Sequence, residues 1–207
     1  MIKIENRDLK EKLEGLCNKQ IEQINENDLE KITAITMNAK DNLGNSLSNK
    51  LEDLNYFTHL ENLTLRNYEI TPENGSILKA LPKLDSLELV NCQFKERTKW
   101  MLNIRSLRIH FCNNVDIREI FANSRIQNIV IENGNNINLK KLNNIMDLQS
   151  VTLDEMIISR NKIKALLKCN AENILLNNCK ISVLAKRKIK ELMTRKNVRI
   201  TNQKLVL

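Results

Sequence analysis

Two cysteines and one histidine are the residues whose types and spacing come nearest to a metal site in this sequence. Cys92 and Cys112 occupy the same position in two similar segments, "LELVNCQF" and "LRIHFCNN", and His110 lies two residues before the second cysteine. A structural zinc ion needs four such ligands. Only three lie in these two segments, and the alternation of side chains along a strand turns His110 away from the cysteines. We therefore expect buried structural cysteines, with no metal and no other cofactor.

The rest of the sequence offers little for catalysis. The chain has 207 residues and 2 His, without a glycine-rich phosphate loop, a Cys-x-x-Cys pair or a His-x-x-x-His pair. An active site needs several titratable groups that converge on one place. The sequence therefore predicts a protein that is not an enzyme.

A repeat supplies the elements that carry these residues. The pattern apolar-x-x-apolar-x-apolar occurs eight times at intervals of 20 to 28 residues. Short parallel strands stacked side by side give such a pattern, because alternate side chains point inward and each turn of the chain buries its face on the next. The central inward residues are Ile35, Leu63, Leu87, Leu107, Ile129, Val151, Ile174 and Val198.

The end of each predicted strand has a further shared position, three residues past the second inward residue. Its occupants are Tyr68, Cys92, Cys112, Gly134, Met156 and Cys179. At these residues the sequence resembles the leucine-rich repeat family, and "LDSLELVNCQF" and "AENILLNNCKI" are similar to its cysteine-containing subtype. The resemblance covers about residues 30–202. It implies an α/β solenoid that is curved, with short parallel strands on the concave face and helices on the convex face.

Amphipathic segments lie between the strands and are predicted to be the convex helices, because their apolar residues recur at three-to-four spacing. They are 72–83, 116–124, 138–146, 159–169 and 183–196. The opening segment 7–24 is predicted to be one helix that covers the first repeat, and "NDLE" at 27–30 a capping-box start for a shorter one. We expect a single domain over 1–207, with an N-terminal helical cap at 1–30, repeats at 31–182, and a basic C-terminal helix and last strand at 183–207.

The outward residues of the strands form the predicted binding surface for a protein partner. They mix both signs of charge with a few apolar side chains, which suits a protein better than a phosphate backbone. The candidates on this concave face are Arg66, Glu88, Val90, Arg108, His110, Phe111, Val130, Glu132, Asp154 and Leu175. The sequence therefore favours a protein interaction scaffold.

Positive charge is concentrated at the C-terminal end. Residues 159–207 contain 13 Lys or Arg and two Glu, a net charge of +11, whereas the whole chain carries +8. The cations of this basic patch are Lys164, Lys168, Lys186, Arg187, Lys188, Lys190, Arg195, Lys196 and Arg199. Such a patch could bind RNA or a ribonucleoprotein through phosphates, or only keep the last repeat soluble. Aromatic residues are 3% of the chain, so few side chains could stack on nucleic-acid bases.

A third hypothesis comes from Cys17. The segment "KLEGLCNKQI" fits Leu-x-x-x-Cys-x-x-x-Ile and resembles the elongin-binding box of cullin-ligase substrate receptors, which implies a role as a ubiquitin-ligase receptor. A capping helix explains the same spacing equally well. With no run of about 18 apolar residues and no signal-like start, we expect a cytoplasmic or nuclear protein, monomeric by itself, with no membrane partner.

Overall fold

The protein is built around one parallel sheet. The computed structural model describes residues 2–39, 50–94, 102–112, 125–134, 136–202 and 204–205. Eight strands of five residues form the sheet, and short two-residue strands follow several of them. In chain order the strands are β1 Ala34–Asn38, β2 Asn62–Arg66, β3 Glu69–Ile70, β4 Ser86–Val90, β5 Gln93–Phe94, β6 Ser106–His110, β7 Asn128–Glu132, β8 Ser150–Asp154, β9 Ile157–Ile158, β10 Asn173–Asn177, β11 Lys180–Ile181, β12 Asn197–Thr201 and β13 Lys204–Leu205.

The order of the strands in the sheet is their order in the sequence: β1, β2, β4, β6, β7, β8, β10, β12. The register confirms the sequence alignment, since the predicted central residues lie opposite one another from strand to strand. Leu107, for example, is paired with Leu87 on one side and Ile129 on the other. The two-residue strands pair separately, β3 with β5 and β9 with β11 and β13.

Alternation along each strand divides buried from accessible residues. In β6, Leu107 and Ile109 are fully buried, whereas Ser106, Arg108 and His110 lie on the other face. Each leucine buried in this way contributes roughly 1.5–3 kcal/mol to the free energy of unfolding, because its side chain is removed from water. The last strand, β12, is less well covered, and its inward Val198 is only partly buried.

Among the described residues, two α-helices precede β1 and three lie in connections between strands. They are α1 Arg7–Cys17, α2 Glu26–Leu29, α3 Pro72–Ala80, α4 Arg160–Lys168 and α5 Lys186–Arg195. Helices are therefore present in three of the predicted segments, 72–83, 159–169 and 183–196, and the segment 116–124 lies outside the described residues. The α-helix predicted at 138–146 is wrong: Leu139–Asn144 is a 3-10 helix. Its buried Leu139, Leu142 and Ile145 are three residues apart, the spacing that suits three residues per turn.

The opening segment is also shorter than predicted as a helix. Helix α1 ends at Cys17, because Asn18 adopts a left-handed conformation with φ 50° and its N–H bonds to the carbonyl of Glu14. Leu9 and Leu13 are buried as expected, but Leu16 in the last turn is 61% exposed. The helix and its row of apolar residues do not continue past Asn18. Ile21 is buried too, but it belongs to a separate 3-10 turn.

The capping box is two residues nearer the N-terminus than predicted. The side chain of Asn25 accepts the N–H of Asp28, and the side chain of Asp28 accepts the N–H of Asn25. Helix α2 therefore begins at Glu26 instead of after Asn27.

The N-terminal segment is attached to the first repeats by a buried polar cluster. The carboxylate of Asp53 accepts the N–H of Glu5 at 3.0 Å and that of Asn6 at 2.7 Å. Asn6 caps α1 by accepting the N–H of Leu9, and its amide donates to the hydroxyl of Tyr68. Burial raises the pKa of Tyr68, so its hydroxyl stays protonated at all ordinary pH values. Residues far apart in the sequence thereby fix the start of α1.

Candidate functional site on the outer face of the sheet

The outer face is the set of strand residues that point away from the core, together with the residue that follows each strand. All ten predicted concave-face residues belong to it. Three of them are exposed: Arg66, Arg108 and Phe111. The other seven are half-buried: Glu88, Val90, His110, Val130, Glu132, Asp154 and Leu175. The sheet thus places the predicted residues on one surface, and the partner they would bind stays a prediction.

A cluster of titratable side chains on the outer face is formed by Glu88, His110 and Glu132. Nδ1 of His110 lies 2.5 Å from Oε2 of Glu132, and Nε2 lies 3.1 Å from Oε1 of Glu88. Thr64 donates its hydroxyl to the other oxygen of Glu88 at 3.0 Å. Nε2 is buried and makes no aligned hydrogen bond with the described residues.

This cluster lacks the arrangement of a catalytic relay. In a relay the imidazole lies between a nucleophile and a carboxylate, whereas both nitrogens of His110 face carboxylates. The hydroxyl of Thr64 donates to Glu88 instead of to the imidazole. Within the described residues, no group of three or more His, Cys, Asp or Glu is arranged to hold a metal ion. The cluster is therefore a set of polar contacts that fixes the position of its own side chains.

The cysteines near His110 have a structural role. The thiol of Cys92 donates to the carbonyl of Leu65, and that of Cys112 donates to the carbonyl of Leu89, both at 3.4 Å. Cys179 makes the equivalent bond to Leu153 at 3.2 Å. Burial raises the pKa of the Cys179 thiol and keeps it protonated. Each cysteine thus ties the end of one strand to the strand before it, as the sequence predicted for buried cysteines.

The residue that follows each five-residue strand from β2 onward has a left-handed backbone. In the described repeats these residues are Asn67, Asn91, Phe111, Asn133, Glu155, Asn178 and Asn202, with φ between 48° and 60°. Asparagine tolerates this conformation better than other residues with a Cβ. Its amides also form a ladder: Asn67 donates to Asn38, and Asn91 donates to Asn67, each at 2.7 Å.

Phe111 is one of two residues in this column that are not asparagine; the other is Glu155. The φ of Phe111 is 50° and its aromatic side chain is 52% exposed. A bulky residue in this conformation is an outlier that costs on the order of 1–3 kcal/mol. The ring follows His110 directly, and the N–H of Phe111 bonds to the carbonyl of Glu132. The sequence therefore places a strained, exposed aromatic residue beside the fixed charges of the cluster.

The basic patch is only partly available to a partner. Lys164, Lys168, Lys186, Arg187, Lys190, Arg195 and Arg199 are exposed, and Lys188 and Lys196 are half-buried. Glu191 forms ion pairs with Lys188 and Arg195, and the bond from Lys188 lowers the pKa of its carboxyl. The ammonium of Lys196 donates to the carbonyls of Cys169 and Ala171. Three of the nine cations of the patch are therefore engaged in contacts within the protein.

The Cys17 segment is oriented unfavourably for the receptor hypothesis. Of its key positions, Leu13 is fully buried, Ile21 is 8% exposed and Cys17 is half-buried. A partner that bound this segment through those side chains would need them at the surface. They pack on the core instead, so a ligase-receptor function is not proposed.

Sequence reasoning identified the members of the outer face but missed how they combine. Glu88 and His110 lie on neighbouring strands but are not directly opposite each other, because their positions differ by two residues in the register. A comparison of equivalent positions in successive strands therefore does not bring them together. The left-handed column was also missed. Its signal was present in the sequence as an asparagine that recurs after the strands, at Asn67, Asn91, Asn133 and Asn178. Phe111 interrupts that series.

Comparisons with known proteins give a structural resemblance of low similarity. No protein-family model matches this chain, and no curated protein is similar to it in sequence. A solved structure that resembles it is an internalin, InlF, from Listeria monocytogenes str. 4b F2365, with a TM-score of 0.38 and 14% sequence identity. The match covers 98% of this chain and 71% of that chain. A likeness of this degree carries no argument about function.

The described helices were also compared with the requirements of a membrane span. None of those helices combines the length and the apolar composition needed to cross a bilayer.

Proposed function

We propose that this protein is a divergent leucine-rich-repeat solenoid with a helical N-terminal cap, and that it binds another protein without catalysis. The binding surface in this proposal is the outer face of the sheet, which would be the concave side. The observation that carries the proposal is Phe111, an exposed aromatic residue held in a left-handed backbone. Backbone strain of this kind persists at functional sites.

The surroundings of Phe111 suit a protein interface. Aromatic and arginine side chains carry much of the binding energy at interfaces, and Arg108 lies on the same strand three residues before Phe111. The His110 cluster supplies fixed polar groups, and the buried Nε2 of His110 lacks an aligned partner in the described residues. Val90 and Val130 add half-buried apolar area on the neighbouring strands. The partner in this proposal is a protein with an apolar pocket for the ring and polar groups around it.

Paired charge reversals test the proposal. The variant with Arg108→Glu and Glu132→Lys should lose a partner captured from native extract, because both changes fall beside Phe111. The variant with Lys186→Glu and Lys190→Glu changes two exposed cations of α5 and should retain that partner. Circular dichroism of both variants checks that they are folded. The outer-face proposal would be contradicted if both variants lost the partner equally, or if both retained it.

The second candidate is a nucleic-acid or ribonucleoprotein factor that docks through its basic end. It is supported by exposed Lys186, Arg187 and Lys190, which lie together on α5. Since residues 159–207 contain no aromatic side chain, contact would be with phosphates. RNA binding that weakens strongly between low and physiological salt favours this candidate, and binding that is absent or insensitive to salt rejects it. The five unpaired cysteines suit the reducing conditions of the cytosol or nucleus for either candidate.

A further inference from the structure

A groove crosses the outer face near its C-terminal edge. It has a volume of about 540 Å³ and lies where β8, β10 and β12 run side by side. Outward side chains of these three strands form its floor, and the end of α5 contributes to one wall. The outward floor residues are Ser150, Thr152, Asn173, Leu175, Asn197 and Arg199, and the wall residues are Met193 and Lys196. Leu175 from the predicted concave surface and Arg199 from the basic patch therefore meet in one place.

The groove combines an apolar area with a positive charge. Leu175 is half-buried, and Met193 is 53% exposed. Arg199 lies directly opposite Leu175 on the edge strand. The guanidinium of Arg199 forms no ion pair or side-chain hydrogen bond with another described residue, and none of the described lining residues is acidic. The groove thus presents an unneutralised cation beside exposed apolar atoms.

The rest of α5 strengthens the positive field. The ammonium of Lys196 is held at the groove by two carbonyl oxygens, 2.8 Å and 2.7 Å away. Lys186 and Lys190 are exposed on the same helix. A negatively charged segment is therefore attracted to this end of the outer face, whereas a basic one is repelled.

Dimensions favour an extended peptide as the occupant. Neighbouring strands are about 4.8 Å apart, so the floor from β8 to β12 spans roughly 9.5 Å, which about three residues of an extended chain cover. In an extended chain, residues i and i+2 point to the same side. A leucine and an acidic residue separated by one position can therefore reach Leu175 and Arg199 together.

We infer that this groove binds an extended acidic segment of a partner protein, with an apolar side chain on Leu175 and Met193 and a carboxylate on Arg199. The inference rests on the proposed function, because it assigns one class of ligand to part of the same outer face. A carboxylate accepts two parallel hydrogen bonds from a guanidinium, which gives the site direction as well as charge. Nucleic acid fits less well, since exposed aliphatic atoms here replace the aromatic rings that stack on bases.

Fluorescence anisotropy with a defined probe tests the inference. The probe is the labelled peptide Gly-Glu-Leu-Ser-Glu-Leu-Gly, measured on the full chain at low salt. Arg199→Glu should weaken its binding by about tenfold or more, as expected for the loss of a charge-assisted bond. Arg187→Glu makes the same charge change on α5 outside the groove and should weaken binding by less than about threefold. Leu175→Asn, an outward substitution, should also weaken it while the protein stays folded.

Control ligands decide between classes of partner. A peptide with lysine in place of both glutamates, and one with serine in place of both leucines, should bind more weakly than the probe. The inference is overturned if the probe does not bind at millimolar protein, if Arg199→Glu and Arg187→Glu weaken it equally, or if only a ten-nucleotide oligothymidine binds in an Arg199-dependent way. The peptide experiment can fail while the variant with Arg108→Glu and Glu132→Lys still loses its partner from native extract. That combination would reject the acidic peptide as the ligand of the groove and would leave the proposed function intact.

Discussion

The imidazole of His110 lies against the carboxylate of Glu132 on the next strand, with Nδ1 2.5 Å from Oε2. Glu88 approaches the other ring nitrogen from the preceding strand at 3.1 Å. Three charged or polar side chains therefore hold one another in place before any partner arrives. A surface ordered in advance loses less conformational entropy on binding. Phe111 extends directly from this fixed region.

Replacement of Phe111 should separate stability from binding. Phe111→Asn should stabilise the protein by about 1 kcal/mol, because asparagine tolerates the left-handed backbone that phenylalanine adopts under strain. The same change should weaken capture of the protein partner. Urea unfolding measures the first effect. The reverse change, Asn133→Phe at the equivalent position of the next repeat, is the control and should destabilise. A loss of stability in Phe111→Asn would contradict the assignment of strain.

Leu107→Ala tests the register of the core. The side chain is fully buried in the middle of the sheet, and its truncation leaves a cavity, so the free energy of unfolding should fall by about 2–5 kcal/mol. Arg108→Ala on the adjacent outward position should change it by less than about 0.5 kcal/mol. A similarly small effect of Leu107→Ala would show that the inward face has been assigned wrongly.

Gly134 occupies a position where other repeats have cysteine, methionine or tyrosine. A Cβ built there lies 2.5 Å from Cγ2 of Ile131 and 2.6 Å from Cδ1 of Ile137. Gly134→Ala should therefore destabilise the protein by about 1–3 kcal/mol through overpacking. Gly15→Ala is the matched control: its Cβ meets nothing within 4 Å, and alanine in a helix should stabilise by about 0.5–1 kcal/mol. Equal effects from the two changes would contradict the packing described around Gly134.

Asp53 should be essential for the position of α1. Asp53→Asn leaves one acceptor oxygen for the N–H groups of Glu5 and Asn6, so stability should fall by about 1–3 kcal/mol. Amide hydrogen exchange should accelerate in α1 before it does in the sheet. Glu52→Gln, an exposed neighbour, is the control and should have little effect. Unchanged exchange in α1 would mean that Asp53 does not hold this helix.

The strands and their register were predictable because their signal is strong and repeated. A buried residue such as Leu107 sits in a pattern that occurs eight times, and burial on a parallel sheet imposes the same alternation each time. The 3-10 turn at Leu139–Asn144 was not predictable in the same way. Its apolar spacing fits part of an α-helix too, and only packing on the neighbouring connections decides between them.

The sequence predicted which residues lie on the outer face, but not how their side chains are arranged there. Alternation assigned Glu88, His110 and Glu132 to the outer face, yet the contacts among them depend on side-chain directions across strands that a linear pattern does not contain. Phe111 was predicted to lie on the concave face, but its strain follows from the left-handed residue that follows the five-residue strands from β2 onward. The groove at Arg199 needed the position of Met193, whose helix approaches the sheet only in the folded chain.

Photo-crosslinking from position 111 tests the central claim, a protein partner on the outer face, most directly. A photoreactive phenylalanine analogue replaces Phe111 in one variant and the exposed Lys79 of α3, on the helical side, in a matched variant. Both are irradiated in native extract, with nuclease-treated samples in parallel. The account predicts a nuclease-resistant protein adduct from position 111 and none from position 79. Adducts from position 79 alone, or none from either position, would contradict it.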